Sequence, residues 1–296
     1  MDEGLVVYHR VHRIWRGGDR AETLDIFVEA VEEVRAAAPD VVAIGFGIPA
    51  LVERETGVAR WSTHLPLADV RFRDVMSERL GLPVVVDNDA NVALLAEARF
   101  GAARGAEHAV LVALGTGIGS GLLLDGRIYR GSRGLGAEIG HMVVDLHGPD
   151  CQGACPGRGC LEVMASGSTI GREGRAAAAA HPESALGRRL ASDQEITGGI
   201  VTELAHDGDE AAIGVLAQIG RRLGYGLVGV VNVFNPEVIV LGGGALAAGE
   251  LLLGPAREVV AERALPPTRE SVRIVAAEFG DESGMLGAAL LAFDSL

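Results

Sequence analysis

The sequence contains no lysine; all 26 of its Lys+Arg residues are arginine. That absence removes mechanisms needing a primary ammonium: a Walker-type phosphate loop, a kinase-type strand lysine and a Schiff base. A GC-rich genome, to which the abundance of Ala, Gly and Arg points, accounts for it without a functional cause. No run approaches the roughly 20 apolar residues of a membrane span. Met1-Asp2-Glu3-Gly4 lacks the basic and then apolar regions of a secretory signal. Basic charge is also outweighed, since 26 Lys+Arg against 40 Asp+Glu leave a formal net charge of −14. This balance argues against a nucleic-acid surface and against anionic membranes. A cytoplasmic chain with neither partner is the expectation.

Cysteine is scarce and concentrated. All three cysteines, Cys151, Cys155 and Cys160, lie within ten residues, and His141 stands ten positions before the first. An odd count cannot pair fully within one chain, and clustered cysteines in a reducing compartment read as metal ligands. One imidazole and three thiolates complete a tetrahedral structural zinc site with no open position. Glu138 and Glu162 are then free for a polar ligand. An ordinary core or surface histidine is the other reading of His141, and Cys-x3-Cys-x4-Cys is an unusual zinc spacing.

Periodicity predicts a strand at Val6–Tyr8, a helix over 21–37, and a strand over 41–48 whose continuous apolarity suggests burial on both faces. An irregular stretch to residue 67, a helix over 70–80, a strand over 82–86 and a helix over 90–100 follow. The pattern restarts with strands at 108–114 and 121–124, with Asp125-Gly126 as a tight-turn signal. Helices are expected near 168–180, 199–206 and 210–233, the last carrying Gly220 and Gly224 on one face for close backbone packing. A strand over 238–241, a helix to 263, a strand over 272–275 and a helix over 282–291 complete the chain. Such alternation predicts an α/β fold with ligands in a cleft at strand C-termini. Arg10, Arg13, Arg16 and Arg20 read as a solvated charged face.

The chemistry-bearing residues cluster at strand ends. Gly115, Thr116 and Gly117 open a glycine run whose backbone N–H groups would cradle phosphate, or which is simply a flexible hairpin. Gly242 and Gly243, between a strand and a helix, suit a nucleotide equally weakly. Asp87, Asn88 and Asp89 lie where a buried strand meets a helix: one would cap the helix, and a carboxylate there is also placed as a general base.

Asn88-Asp89-Ala90-Asn91, Glu138-Ile139-Gly140-His141 and Gly159-Cys160-Leu161-Glu162 together resemble the catalytic, sugar and zinc motifs of the ROK family of sugar kinases and repressors, and the likeness spans almost the whole chain. The resemblance implies an actin-like (ribonuclease H-like) two-lobe fold, with residues 1–93 plus 282–296 as the small lobe and 94–281 as the large one. It implies ATP-dependent phosphorylation of a hexose, glucose to glucose 6-phosphate foremost, with Mg accompanying ATP and zinc as a structural ion. Asp89 would be the general base. Asn88, Glu138, His141 and Glu162 would bind sugar hydroxyls; Gly115, Thr116, Gly117, Gly242 and Gly243 would bind the nucleotide. His141, Cys151, Cys155 and Cys160 would hold the metal, with a homodimer as the assembly. The alternatives are a non-catalytic sugar-binding protein and a kinase of an N-acetylated hexosamine.

Three departures accompany the likeness. The first cysteine lies two positions earlier than in the family motif. Ala50 stands where glycine is usual, and His64 where Asn is common. No Asp-x-Gly-Gly-Thr phosphate loop occurs, from which the chain is expected to be a truncated reading frame that starts after the family's first strand. A repressor is not expected, because a helix-turn-helix segment would have no room ahead of the sugar domain.

Overall fold

The computed structural model describes Met1 and residues 6–15 and 18–296. In chain order the elements are α1 (Arg20–Ala37), β1 (Ile44–Ile48), β2 (Leu51–Glu53), β3 (Val58–Trp61), α2 (Phe72–Leu80), β4 (Val84–Asn88) and α3 (Asp89–Arg99). Then come β5 (Ala109–Leu114), β6 (Ile118–Leu124), β7 (Arg127–Tyr129), α4 (Leu161–Ala165), α5 (Gly167–Ala180), α6 (Ala185–Ala191), α7 (Gly198–His206) and α8 (Glu210–Phe234). β8 (Val238–Gly242), α9 (Glu250–Arg263), α10 (Pro266–Ser271), β9 (Arg273–Ala276) and α11 (Ser283–Phe293) close the chain. Among the described residues no helix is long and apolar enough to cross a membrane.

Local signals explain most boundaries. Asp19 caps α1 by accepting from the Glu22 N–H, and Asp209 caps α8 through the Ala212 N–H. Gly81 ends α2 and Asn235 ends α8 in the left-handed region, Asn235 directly before Pro236. Asp125 and Gly126, both at positive φ, form the tight turn joining β6 to β7.

Two bodies carry the cleft. In the N-terminal one, β1 runs parallel to β4, and β2–β3 form an antiparallel hairpin. Phe27, Phe46 and Phe72 meet edge to face there, so three of the chain's few aromatic rings share one small core. β1 is covered on both faces, as its apolar run predicts. Ile44, Phe46 and Ile48 enter the aromatic side. A Cβ on Gly45 would overlap the Ala288 carbonyl of α11, and one on Gly47 would overlap Val92 of α3. The larger body has a five-stranded sheet in the order β7-β6-β5-β8-β9, with β5, β8 and β9 mutually parallel. α8 is its buried helix, and α9 lies directly on Gly220 and Gly224 of α8, where added Cβ atoms would strike the Leu252 and Ala256 carbonyls.

Several expectations change. Val6–Tyr8 has no regular structure, and the strand expected from 41 starts at Ile44, with Val42 exposed. The stretch read as irregular contains the β2–β3 hairpin, whose strands of three and four residues are too short to show alternation. The second strand of the glycine hairpin starts at Ile118 rather than 121, and α6 forms where no helix is expected. Of the arginine face, Arg10 pairs with Glu282, Arg13 with Glu33, and Arg20 donates to the Ala68 carbonyl; Arg16 lies outside the described residues.

Candidate active site

Two pairs of parallel strands end at the same place. Ile48 and Asn88 are register partners at the ends of β1 and β4, and Ala113 pairs with Gly242 at the ends of β5 and β8. The four C-terminal ends open on one cleft of about 380 Å³. Pro49, Trp61, His64, Asn88 and Asp89 line it, together with Gly115 to Gly119, Glu138, His141, Glu162, Gly242 and Gly243.

The cap-or-base ambiguity at β4–α3 resolves by division of labour. Asn88 is the cap: Oδ1 accepts from the Ala90 and Asn91 N–H groups at 2.9 and 3.2 Å, and Nδ2 donates to the Ala50 carbonyl at 3.3 Å. Asp87 is buried and turned away, receiving Arg130 Nε at 2.6 Å and Asn91 Nδ2 at 3.0 Å. Asp89 is left facing the cleft. Desolvation raises its carboxyl above the usual range, against the opposing pull of backbone N–H groups and of His64.

Glu138 lies on the cleft wall. Burial, then the negative charges of Asp89 and Glu162, push its carboxyl up to about 7. Ala137 holds a positive φ of 73° just before it. Ser120 fixes that segment, its Oγ donating to the Ala137 carbonyl and accepting from the Ile139 N–H at 2.9 Å. Glu162 is buried, and its Oε2 accepts from the Ile118 N–H at 2.8 Å. The glycine turn is therefore clamped rather than flexible: Gly115 N–H donates to Gly117 O at 3.0 Å, and Gln152 Nε2 donates to Thr116 O at 3.0 Å.

Beneath this wall the ligand atoms of His141, Cys151, Cys155 and Cys160 all lie within 4.8 Å of one another. Cys151 Sγ sits 3.8 Å from His141 Nδ1. That separation suits two corners of a tetrahedral zinc site, about 3.5–3.8 Å from bond lengths of 2.0–2.3 Å. A Cβ on Gly157 would fall 2.9 Å from Cys160 Sγ and 3.4 Å from Cys155 Sγ, so the cradle is shaped around the sulfurs. Burial and the neighbouring thiols push the Cys151 thiol up, and burial first does the same to Cys160. The residues fit a metal ion despite the displaced first cysteine.

All the residues singled out from sequence thus meet at one cleft or directly behind it. The sequence reading missed Trp61, His64 as a neighbour of Asp89, Arg130, and the wall formed by Ala277, Gly280, Asp281, Ser283 and Gly284. The Gly-Asp-Glu-Ser-Gly run was visible there, but it reads as an ordinary helix start.

The ROK family profile matches residues 10–295. A glucokinase from Thermotoga maritima is 36% identical over 247 residues, covering 83% of this chain and 77% of that protein. Among solved structures, a ROK family glucokinase from Streptomyces griseus in complex with glucose and AMPPNP superposes with a TM-score of 0.86 at 32% identity, covering 93% of this chain and 89% of that one. A ROK family transcriptional regulator, homolog of E. coli MLC protein, superposes with a TM-score of 0.81, also at 32% identity, covering 92% of this chain and 68% of that one. Curated relatives include a xylose repressor from Caldicellulosiruptor bescii, 27% identical over 96% of this chain and 71% of that protein.

These last matches overturn the expectation of no nucleic-acid partner. Net charge summed over a chain does not decide partner class when regulators share the fold across nine-tenths of it.

Proposed function

Because the chain belongs to the ROK family, we propose that it transfers the γ-phosphoryl group of ATP to a hexose, glucose foremost, with Asp89 as general base. The fold is the two-lobe, actin-like α/β fold of that family. One observation carries the reading: Asp89, the acid–imidazole wall and both glycine turns face a single cleft.

Phosphoryl transfer is mostly positioning and charge stabilisation, so the absence of lysine is no obstacle. The acceptor hydroxyl of the sugar donates its proton to Asp89 as its oxygen attacks the γ-phosphorus, and ADP leaves. A carboxyl raised by desolvation is a stronger base once ionised. Glu138, His141 and Glu162 grip other hydroxyls. Glu162 offers Oε1, since Oε2 is held by Ile118. Asn88 offers only an N–H, its oxygen being spent on the helix cap. The Gly115 N–H is spent on the Gly117 carbonyl, so the N–H groups of Thr116, Gly117 and the Gly242–Gly243 turn, with the Thr116 hydroxyl, receive the nucleotide. Zinc held by His141, Cys151, Cys155 and Cys160 would supply fixed orientation and tautomer to the His141 ring. Magnesium bound with ATP would supply charge neutralisation to its phosphates. The small lobe is assigned to 1–93 with 282–296 and the large lobe to 94–281.

The test is ADP formation with glucose, mannose, N-acetylglucosamine and N-acetylmannosamine, on the natural chain and on Asp89→Asn. Loss of turnover in Asp89→Asn with glucose binding retained supports the assignment; turnover at the natural rate removes Asp89 from the mechanism. A second reading, sugar sensing without catalysis, is favoured by the match to the transcriptional regulator. Thermal stabilisation by glucose with no ADP from any sugar would select it.

A further inference from the structure

We propose that Glu97 is a positioning residue for the nucleotide, holding the cleft wall at 277–284 to the helix that begins at Asp89. The proposal rests on the kinase reading for what occupies the cleft, and on geometry for the rest.

Glu97 is fully buried in α3, at 0% exposure. Every polar partner it has in the structure can donate to it. Oε2 accepts from the N–H groups of Ala102 at 2.9 Å and Glu278 at 3.1 Å. Oε1 accepts from the Phe279 N–H at 3.0 Å and lies 2.8 Å from Ser283 Oγ. Such a pocket requires an acceptor on both oxygens, which a carboxylate supplies and an amide does not. Two of the donors come from the chain entering α11, and Ser283 is the first residue of that helix. Gly101 makes the room, since a Cβ there would overlap Glu97 Oε2.

The segment so held is a wall of the cleft. Ala277, Gly280, Asp281, Ser283 and Gly284 line it. The Ala277 N–H donates to the Leu241 carbonyl at 2.7 Å, which joins this wall to the Gly242–Gly243 turn. It is therefore the nucleotide end, a segment separate from the loop that carries Glu138 and His141. α3 and α11 also touch backbone to backbone: a Cβ on Gly287 would overlap the Val92 carbonyl. Glu97 lies eight residues along α3 from Asp89, about 12 Å at the helical rise. The general base and the nucleotide wall thus form one rigid unit, with Glu97 as the polar tie.

A residue serving only the core would lose stability when altered, without separating the two ligands. The deciding measurement is calorimetric titration of the full chain with a non-hydrolysable ATP analogue and, separately, with glucose. In Glu97→Gln the amide group faces N–H donors, and nucleotide affinity should fall about tenfold, with glucose affinity within about twofold of the natural chain. Gly101→Ala, which crowds the carboxylate without changing it, should shift nucleotide affinity in the same direction. Ser283→Ala removes one of four bonds and should cost roughly threefold; it decides the matter alone if Glu97→Gln does not fold. Unchanged nucleotide affinity in the folded variants, or equal loss for both ligands, overturns the proposal. The readout is binding, so a chain that binds nucleotide without turning it over counts against the kinase reading alone.

Discussion

Glu162 Oε2 accepts a hydrogen bond from the Ile118 backbone N–H at 2.8 Å, tying the second residue after the third cysteine to the start of β6. The wall that carries Glu162 and the glycine turn are thereby one unit. Gly117 permits it, because a Cβ at that position would overlap the same carboxylate oxygen.

Gly117→Ala should therefore act on both substrates. Displacing Glu162 from Ile118 leaves a buried carboxylate and a backbone N–H unpaired, a loss of about 1–3 kcal/mol. Steady-state kinetics should show kcat/KM for glucose down roughly tenfold or more, with the KM for ATP also raised. A variant with natural kinetics would mean that the turn tolerates the added carbon and that the tie has no functional weight.

Most elements in this cleft were legible because their signals are local. Asn88 is a cap placed by chemistry, Gly220 and Gly224 mark a helix contact, and the cysteines gather at short range in sequence. The division of roles within Asp87-Asn88-Asp89 was not legible. It depends on Arg130, which reaches Asp87 across 43 residues. Glu97 was equally silent, because its Glu278, Phe279 and Ser283 partners lie more than 180 residues away. Short strands such as β2 and β3 offer too few residues for a period to emerge.

The acid–imidazole wall predicts a specific pH response. Glu138, facing Asp89 and Glu162, is pushed up to about 7 from 4.5, and Asp89 is raised by desolvation. A base must be ionised to act, so kcat/KM should show an acid limb displaced upward from that of an ordinary carboxylate. The negative charge of Asp89 helps to hold Glu138 up, so in Asp89→Asn the Glu138 carboxyl should titrate lower, as followed by NMR. Stability follows the opposite sign. Between about 4.5 and 7 the folded chain keeps a proton on Glu138 that the unfolded chain has released, so this group's contribution falls as pH rises through that window. Glu138→Gln should flatten that fall in melting curves taken across the window. A Glu138 titration unmoved in Asp89→Asn would sink the coupling.

Cys151 is the cysteine that departs from the expected spacing, yet it lies 3.8 Å from His141 Nδ1 and 3.9 Å from Glu162 Oε1. Cys151→Ser should lower the metal content measured by elemental analysis. Glucose affinity should weaken about tenfold, since support behind a ligand typically carries 10–100-fold effects. Glucose binding that is equal before and after chelation of the natural chain would separate the metal from the sugar site.

Arg130 and Asp87 give the sharpest stability prediction. Their side chains are only 14% and 7% exposed, and Nε meets Oδ2 at 2.6 Å. Removing one partner leaves the other charge buried without its counter-charge, so Arg130→Ala should cost about 3–5 kcal/mol. Asp87 Oδ1 also accepts from the Asn88 N–H at 2.8 Å and from Asn91 Nδ2 at 3.0 Å. It thus braces the turn that aims Asp89. The loss should consequently appear twice: as a lower denaturation midpoint, and as a lower kcat at temperatures where the variant remains folded. Pairing Arg130→Leu with Asp87→Asn removes both charges and should recover much of the stability, because no uncompensated ion remains. Recovery of the midpoint without recovery of kcat would assign the Asp87 charge a part in setting Asp89. Recovery of both would confine the pair to holding the fold.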